Sequence, residues 1–149
     1  MISQRRQLSI LVLVAMLAGF GYGPCDSKRQ PKTVADILVG AENVKRDLRS
    51  RNEISAQNDY DISAKLIEAN RAYKRFIEDE LARLAAGGAN QPDPSARQAA
   101  IRALTTSLRS IENPSTLGIK SESAQKLWRE SIAGINTVIT GLELLQGGN

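Results

Sequence analysis

The sequence predicts an all-α protein, namely an antiparallel up-and-down bundle of four helices. Four segments between residues 33 and 146 carry apolar side chains at alternating steps of three and four, the spacing of a helix with one buried face. Helix start and stop signals separate the segments, and no stretch of useful length alternates as a strand does. The second and fourth segments are about 25 to 30 residues long, and the other two are nearer to about 18. A three-helix core with the third helix as a partial cover is therefore the alternative arrangement.

The first predicted helix begins at Thr33, where Asp36 stands at the right distance to complete a capping box. Its apolar stripe is formed by Val34, Ile37, Ala41, Val44 and Leu48. A tight turn is predicted at residues 52–54, because Asn52 tolerates the left-handed conformation that ends helices.

The second predicted helix runs from about Ser55, its N-cap, to Ala86. Asp61 is an alternative start, and Gly87 and Gly88 are predicted to end the helix. Its inward stripe is predicted to contain Tyr60 or Ile62, Leu66, Ala69, Tyr73, Phe76 or Ile77, Leu81 and Leu84.

The third predicted helix starts at Asp93-Pro94, since proline suits the first position of a helix, and ends at Asn113-Pro114. Ser95 with Gln98 offers a competing capping box. The inward side chains of this helix are predicted to be Ile101, Leu104, Leu108 and Ile111.

The loop that follows carries Leu117 and Ile119, which are predicted to fold back over the core. The fourth helix is predicted to begin at Ser121 or Ser123 and to continue to Gln146, before a disordered tail at residues 147–149. Trp128 is expected in the core, with its indole N–H donating to a loop carbonyl. The other inward residues of this helix are predicted to be Ala124, Ile132, Ile135, Val138 or Ile139, Leu142 and Leu145.

Residues 1–25 have the layout of a secretory signal peptide. Arg5 and Arg6 precede an apolar run from Leu8 to Gly23. This run is shorter than the roughly 20 residues that a helix needs to cross a hydrocarbon core about 30 Å thick. An export signal is therefore favoured over a transmembrane anchor, and ordinary cleavage would fall ahead of Tyr22.

The one cysteine of the chain, Cys25, lies directly behind this apolar run. The stretch Tyr22, Gly23, Pro24, Cys25 resembles the cleavage motif of bacterial lipoproteins, although leucine is usual at the first position and glycine or alanine at the third. Over these few residues the resemblance implies that Cys25 receives a diacylglycerol group and becomes the first residue after cleavage. The alternative is an unmodified thiol in the signal peptide or at the mature N-terminus. Residues 26–32 have no apolar side chain and are predicted to form a flexible tether.

The composition argues against several kinds of catalytic and metal site. The chain has no histidine and a single cysteine, which removes the commonest general base, the usual partner of a catalytic serine and thiolate zinc sites. Most acidic residues have a basic residue at helical spacing, so we expect ion pairs on solvated helix faces rather than catalytic carboxylates. These expected pairs are Glu42 with Arg46, Asp47 with Arg51, Arg75 with Asp79, and Glu80 with Arg83. The protein is accordingly predicted to be no enzyme and to hold no metal or cofactor.

The net charge does not predict nucleic-acid binding. Without residues 1–25, which contain Arg5 and Arg6 and no acidic residue, 18 basic side chains face 16 acidic ones. The signs alternate along the chain and do not form a basic face interleaved with aromatic residues. We therefore expect no nucleic-acid partner.

With these classes set aside, we predict that the protein acts through surface contacts with another molecule. We expect the domain of residues 33–146 to be exported to the bacterial cell envelope and to contact another protein, the cell-surface matrix or, if Cys25 is acylated, a membrane. The alternative function is a carrier of a small hydrophobic ligand, held between the helices by Tyr60, Tyr73, Phe76 and Trp128. If Trp128 is instead exposed beside Leu117 and Ile119, these residues are expected to form a partner groove.

Overall fold

The computed structural model describes residues 33–86 and 94–146, in which all regular secondary structure is helical. The α-helices in these ranges are α1 Val34–Ser50, α2 Ala56–Ala85, α3 Pro94–Glu112, α4 Glu122–Ser131 and α5 Ile135–Gln146, with a 3₁₀ turn, Pro114–Leu117, between α3 and α4. The predictions for residues 1–25, 26–32 and 147–149, for Cys25, for Gly87 and Gly88 and for Asp93 lie outside the described residues. In the described ranges no helix combines the length and the apolar character needed to span a membrane.

Three of the predicted helix starts are confirmed by their hydrogen bonds. The Thr33 hydroxyl accepts from the Asp36 N–H at 3.2 Å, while the Thr33 N–H donates to the Asp36 carboxylate at 3.1 Å, which completes the capping box. Ser55 and Ser121 cap α2 and α4 by accepting from the backbone N–H three residues on. Each cap satisfies a backbone donor that the first turn of a helix cannot pair internally.

The helices share one hydrophobic core. Helix α2 packs against both α1 and α3, while α5 packs against α3 and α4 packs against α1. Phe76 and Trp128 are the largest fully buried side chains. The Trp128 Nε1–H donates to the Ile111 carbonyl oxygen at 2.9 Å, so the indole is buried as expected, but its acceptor lies in the last turn of α3 rather than in a loop.

The loop after α3 folds back on the core as predicted. Leu117 and Ile119 are buried, and Gly118 between them adopts a φ of 73°. The Asn58 side-chain amide of α2 donates to the Gly118 carbonyl at 3.1 Å. The left-handed φ favours glycine at this position, and a Cβ there would displace the Asn58 side chain from its hydrogen bond.

The prediction of a single fourth helix is wrong, because this part of the chain forms two helices, α4 and α5. Gly134 has a φ of 97°, which an α-helix cannot contain and which residues with a Cβ rarely adopt. The Ile135 N–H donates to the Ile132 carbonyl across this turn at 3.0 Å. The apolar spacing runs through the turn unchanged, since Ile132, Ile135 and Ile139 are all buried.

The predicted stripe of α2 is correct up to Phe76 and wrong beyond it. Of the paired alternatives, Ile62 is buried and Tyr60 is exposed, and Phe76 is fully buried while Ile77 is partly so. Leu81 and Leu84 are exposed. A step of four from Phe76 leads to Glu80, and this carboxylate occupies the buried position that leucine was expected to fill.

Candidate functional site

The residues predicted to line a ligand pocket or partner groove do not lie together on the surface. Phe76, Trp128, Leu117 and Ile119 belong to the hydrophobic core, and Tyr73 packs against its edge. Tyr60 is 70% exposed and lies outside this cluster.

The surroundings of Tyr73 shift the ionisation of its phenol. Burial raises the pKa of its phenol above the ordinary value, and the nearby Asp36 carboxylate raises this pKa further. Both effects disfavour the phenolate. Tyr73 therefore stays a neutral side chain at the edge of the core.

An open groove runs between α2 and α3. It has a volume of about 920 Å³ and follows α2 from Ala64 to Asp79 and α3 from Ala99 to Ser107. At a rise of about 1.5 Å per residue, the α2 side alone is about 22 Å long. The apolar and small side chains of the groove are Ala64, Ile67, Ala72, Ala99, Ala100, Ala103 and Ser107. Apart from Ile67 these residues are alanine or serine, so small side chains form the floor of the groove.

Charged residues surround this floor, and most of them have no ion-pair partner. The acidic side chains are Glu68, Glu78 and Asp79, and the basic ones are Arg71, Arg75 and Arg102. Glu78 lies 3.8 Å from Lys74 Nζ, but the other five make no ion pair within residues 33–86 and 94–146. The predicted pair of Arg75 with Asp79 is thus not formed. In contrast, the predicted pairs Glu42–Arg46 and Asp47–Arg51 are present.

Glu80 forms a buried ionic cluster that the sequence analysis placed wrongly on a solvated face. Its carboxylate accepts from Arg83 Nη2 and from Arg97 Nε, both at 2.6 Å. Only 1% of the Glu80 side chain is exposed, and the two arginines are 13% and 20% exposed. Arg97 belongs to α3, so the cluster joins the last turns of α2 to the first turns of α3. The step of four from Phe76 is the sequence signal that could have located it.

A second polar cluster joins α1 to α2 through a buried lysine. Lys45 Nζ donates to Ser63 Oγ at 2.6 Å and lies 3.1 Å from a Glu42 carboxylate oxygen and 3.6 Å from one of Asp59. All three partners come from these two helices. Both polar clusters therefore hold helices together, and their carboxylates are engaged by basic groups.

Two smaller depressions accompany the groove. One, of about 470 Å³, lies where α4 and α5 meet, and the other, of about 520 Å³, lies between α2 and the 3₁₀ turn. None of the three depressions is lined by Tyr60, Tyr73, Phe76 or Trp128. In the described ranges no group of three or more Asp, Glu, Cys or His residues is placed to hold a metal ion.

The groove between α2 and α3 therefore combines an extended shape, small side chains on its floor and several charges that make no ion pair within the described residues. No protein family, curated protein or solved structure matches the chain in sequence or fold. The assignment of a function depends on this geometry and on the sequence.

Proposed function

We propose that the protein is an exported, non-enzymatic helical protein of the bacterial cell envelope that acts by binding another protein chain in the groove between α2 and α3. The groove carries this proposal. Its alanine-rich floor suits the approach of a helix, and five of its six charged side chains make no ion pair within the described ranges. An amphipathic helix laid in a groove is a common mode of recognition between proteins.

The proposal includes a finer architecture, an antiparallel bundle of four columns. Helices α1, α2 and α3 supply three columns, and α4 with α5 supplies the broken fourth. The packing order supports this architecture. Helix α4 lies against α1 and α5 lies against α3, as expected if α4 and α5 are the two halves of one broken helix packed between α1 and α3. A paired-cysteine experiment described in the Discussion tests the contact of α1 with α4.

Export rests on the charged and apolar layout of residues 1–25 and on the position of Cys25. The test is the intact mass of the full chain from membrane and soluble envelope fractions of a bacterial host, beside a Cys25→Ser variant. A membrane-bound species that begins at Cys25 with added acyl mass, lost in the variant, would establish the lipid anchor. A soluble envelope species that begins near Tyr22 would establish export without an anchor. A full-length chain in the cytoplasm would overturn export.

Docking in the groove is tested by cross-linking in cells. A photo-reactive residue is placed at Ala103, an exposed position of the groove, and in a second strain at Lys126, an exposed position on α4. A discrete cross-linked species from Ala103 and none from Lys126 is expected. A band of the same mass from both positions, or none from Ala103, would contradict docking in the groove.

The carrier function has no comparable support. Phe76 and Trp128, which were predicted to line its pocket, are packed in the core, and the indole N–H is already bonded to the Ile111 carbonyl. The proposal is therefore restricted to surface contacts.

A further inference from the structure

The outer face of α2 carries a second stripe of residues, opposite the one that enters the core. Ala64, Ile67, Arg71, Arg75, Glu78, Ala82 and Ala85 follow one another at steps of three and four, and all are exposed. One helix with two such stripes can pack against its own core on one side and against another helix on the other. This stripe contributes five residues to the groove, namely Ala64, Ile67, Arg71, Arg75 and Glu78.

The charges at the centre of this stripe are complementary to themselves. Residues 74–79 read Lys-Arg-Phe-Ile-Glu-Asp, so the charge pattern inverts about the point between Phe76 and Ile77. If two α2 helices lie antiparallel about a two-fold axis at this point, Arg75 of each copy faces Glu78 of the other. Lys74 likewise faces Asp79. Two-fold symmetry repeats every contact, so four opposite-charge pairs result.

The neighbouring positions also match under this symmetry. The exposed Arg71 of one copy faces the exposed Ala82 of the other, so a large side chain meets a small one on both sides of the axis. Within one copy these charges are available, since Arg75 and Asp79 make no ion pair in the described ranges. Lys74 and Glu78 share only a 3.8 Å contact between exposed side chains.

We infer that the protein chain bound in the α2–α3 groove is a second copy of this chain, paired through antiparallel α2 helices. This inference rests on the proposed function, because it names the partner of the same groove. The balance of charge favours a second copy over a strongly acidic or basic partner. Three acidic and three basic side chains surround the groove, so any partner of one sign would meet like charges.

The test is a charge-reversal series measured by sedimentation velocity over a range of concentrations. The full chain is purified from the bacterial host in a Cys25→Ser background, so that neither acylation nor a disulfide through this thiol can link two copies. The parent chain is expected to form a dimer. Arg75→Glu alone or Glu78→Arg alone places like charges opposite each other and should raise the dimer Kd by about tenfold or more. The double variant restores opposite charges and should restore the dimer.

A matched control reverses the exposed pair of Lys126 and Glu130 on α4, which should leave the dimer unchanged. Circular dichroism establishes that each variant keeps its helix content, as expected for exposed positions. A parent chain that is monomeric at all concentrations, or a dimer that neither single reversal weakens, would overturn the inference.

The cross-linking experiment separates this inference from the proposed function. A monomeric chain whose Ala103 position still cross-links specifically to a different protein would overturn the second copy and retain the groove as a docking site. Absence of any cross-link at Ala103 would overturn both. A cross-linked species of twice the chain mass, lost in Arg75→Glu and regained with Glu78→Arg, would support both.

Discussion

Replacement of Glu80 by alanine should destabilise the fold far more than replacement of any exposed carboxylate. The change leaves the Arg83 and Arg97 side chains facing each other, 13% and 20% exposed, without the negative charge between them. Removing one member of a buried ionic cluster costs about 3 to 5 kcal/mol. Since both arginines keep some contact with water, the lower end applies, about 3 kcal/mol. This corresponds to a more than hundredfold shift in the equilibrium between folded and unfolded chain.

Glu130 provides a control on another helix, outside the proposed dimer surface. Its side chain is 61% exposed and lies 4.0 Å from a lysine that is 77% exposed. Such a pair contributes at most about 1 kcal/mol. Replacing either glutamate by alanine removes one carboxylate, so the two variants share the change in net charge and differ in burial.

The assay is urea unfolding followed by circular dichroism, with the free energy of unfolding extrapolated to water. A further variant, Glu80→Met with Arg83→Leu and Arg97→Met, removes the whole cluster and should recover most of the lost stability. Its recovery is expected because apolar replacement of a complete buried cluster is often neutral or stabilising. A loss below about 1 kcal/mol for Glu80→Ala, or equal losses at both glutamates, would refute the buried cluster.

The other predictions concern positions outside this cluster. In a Cys25→Ser background, Gly40→Cys with Ser131→Cys should form a disulfide on mild oxidation, because a Cβ on Gly40 would lie 3.7 Å from the Ser131 Cβ. Gel mobility with and without reductant measures this bond, and its absence would contradict the contact of α1 with α4. Gly134→Ala should lower the free energy of unfolding by about 1 to 2 kcal/mol, because its φ of 97° disfavours a Cβ. An unchanged urea midpoint would argue against the turn. Tyr73 has a raised pKa, so its contribution to stability is present below pH 10.0 and is lost as pH rises through the folded-state value. Tyr73→Phe should reduce the alkaline fall in stability in pH-dependent unfolding, and an identical fall would contradict the burial of this phenol.

The sequence predicted the helices and their starts because these depend on near neighbours. The capping box of Thr33 is closed by a residue three positions away, and the steps of three and four that define the core stripe lie within single helices. Such features require no knowledge of how the helices pack.

The features that the sequence analysis missed depend on distant residues or on one dihedral angle. The apolar spacing is the same on both sides of Gly134, so only the φ of this glycine separates α4 from α5. The position of Glu80 follows the stripe, but a charged residue is expected there only if Arg97, on another helix, lies within reach. The α2–α3 groove could not be predicted for a similar reason. Its two walls come from separate helices. The sequence of either helix alone does not show which of its faces stays uncovered once the helices have packed.

Trp128 is an intrinsic fluorescent probe of the packing between α3 and α4. It is the one tryptophan of the chain, it is fully buried, and its indole N–H holds the end of α3 beside α4. Indole emission moves to longer wavelength when water reaches the ring. The emission maximum should therefore follow separation of α3 from α4 without any label, and a comparison with the helical signal would show whether this junction opens before the remaining helices unfold.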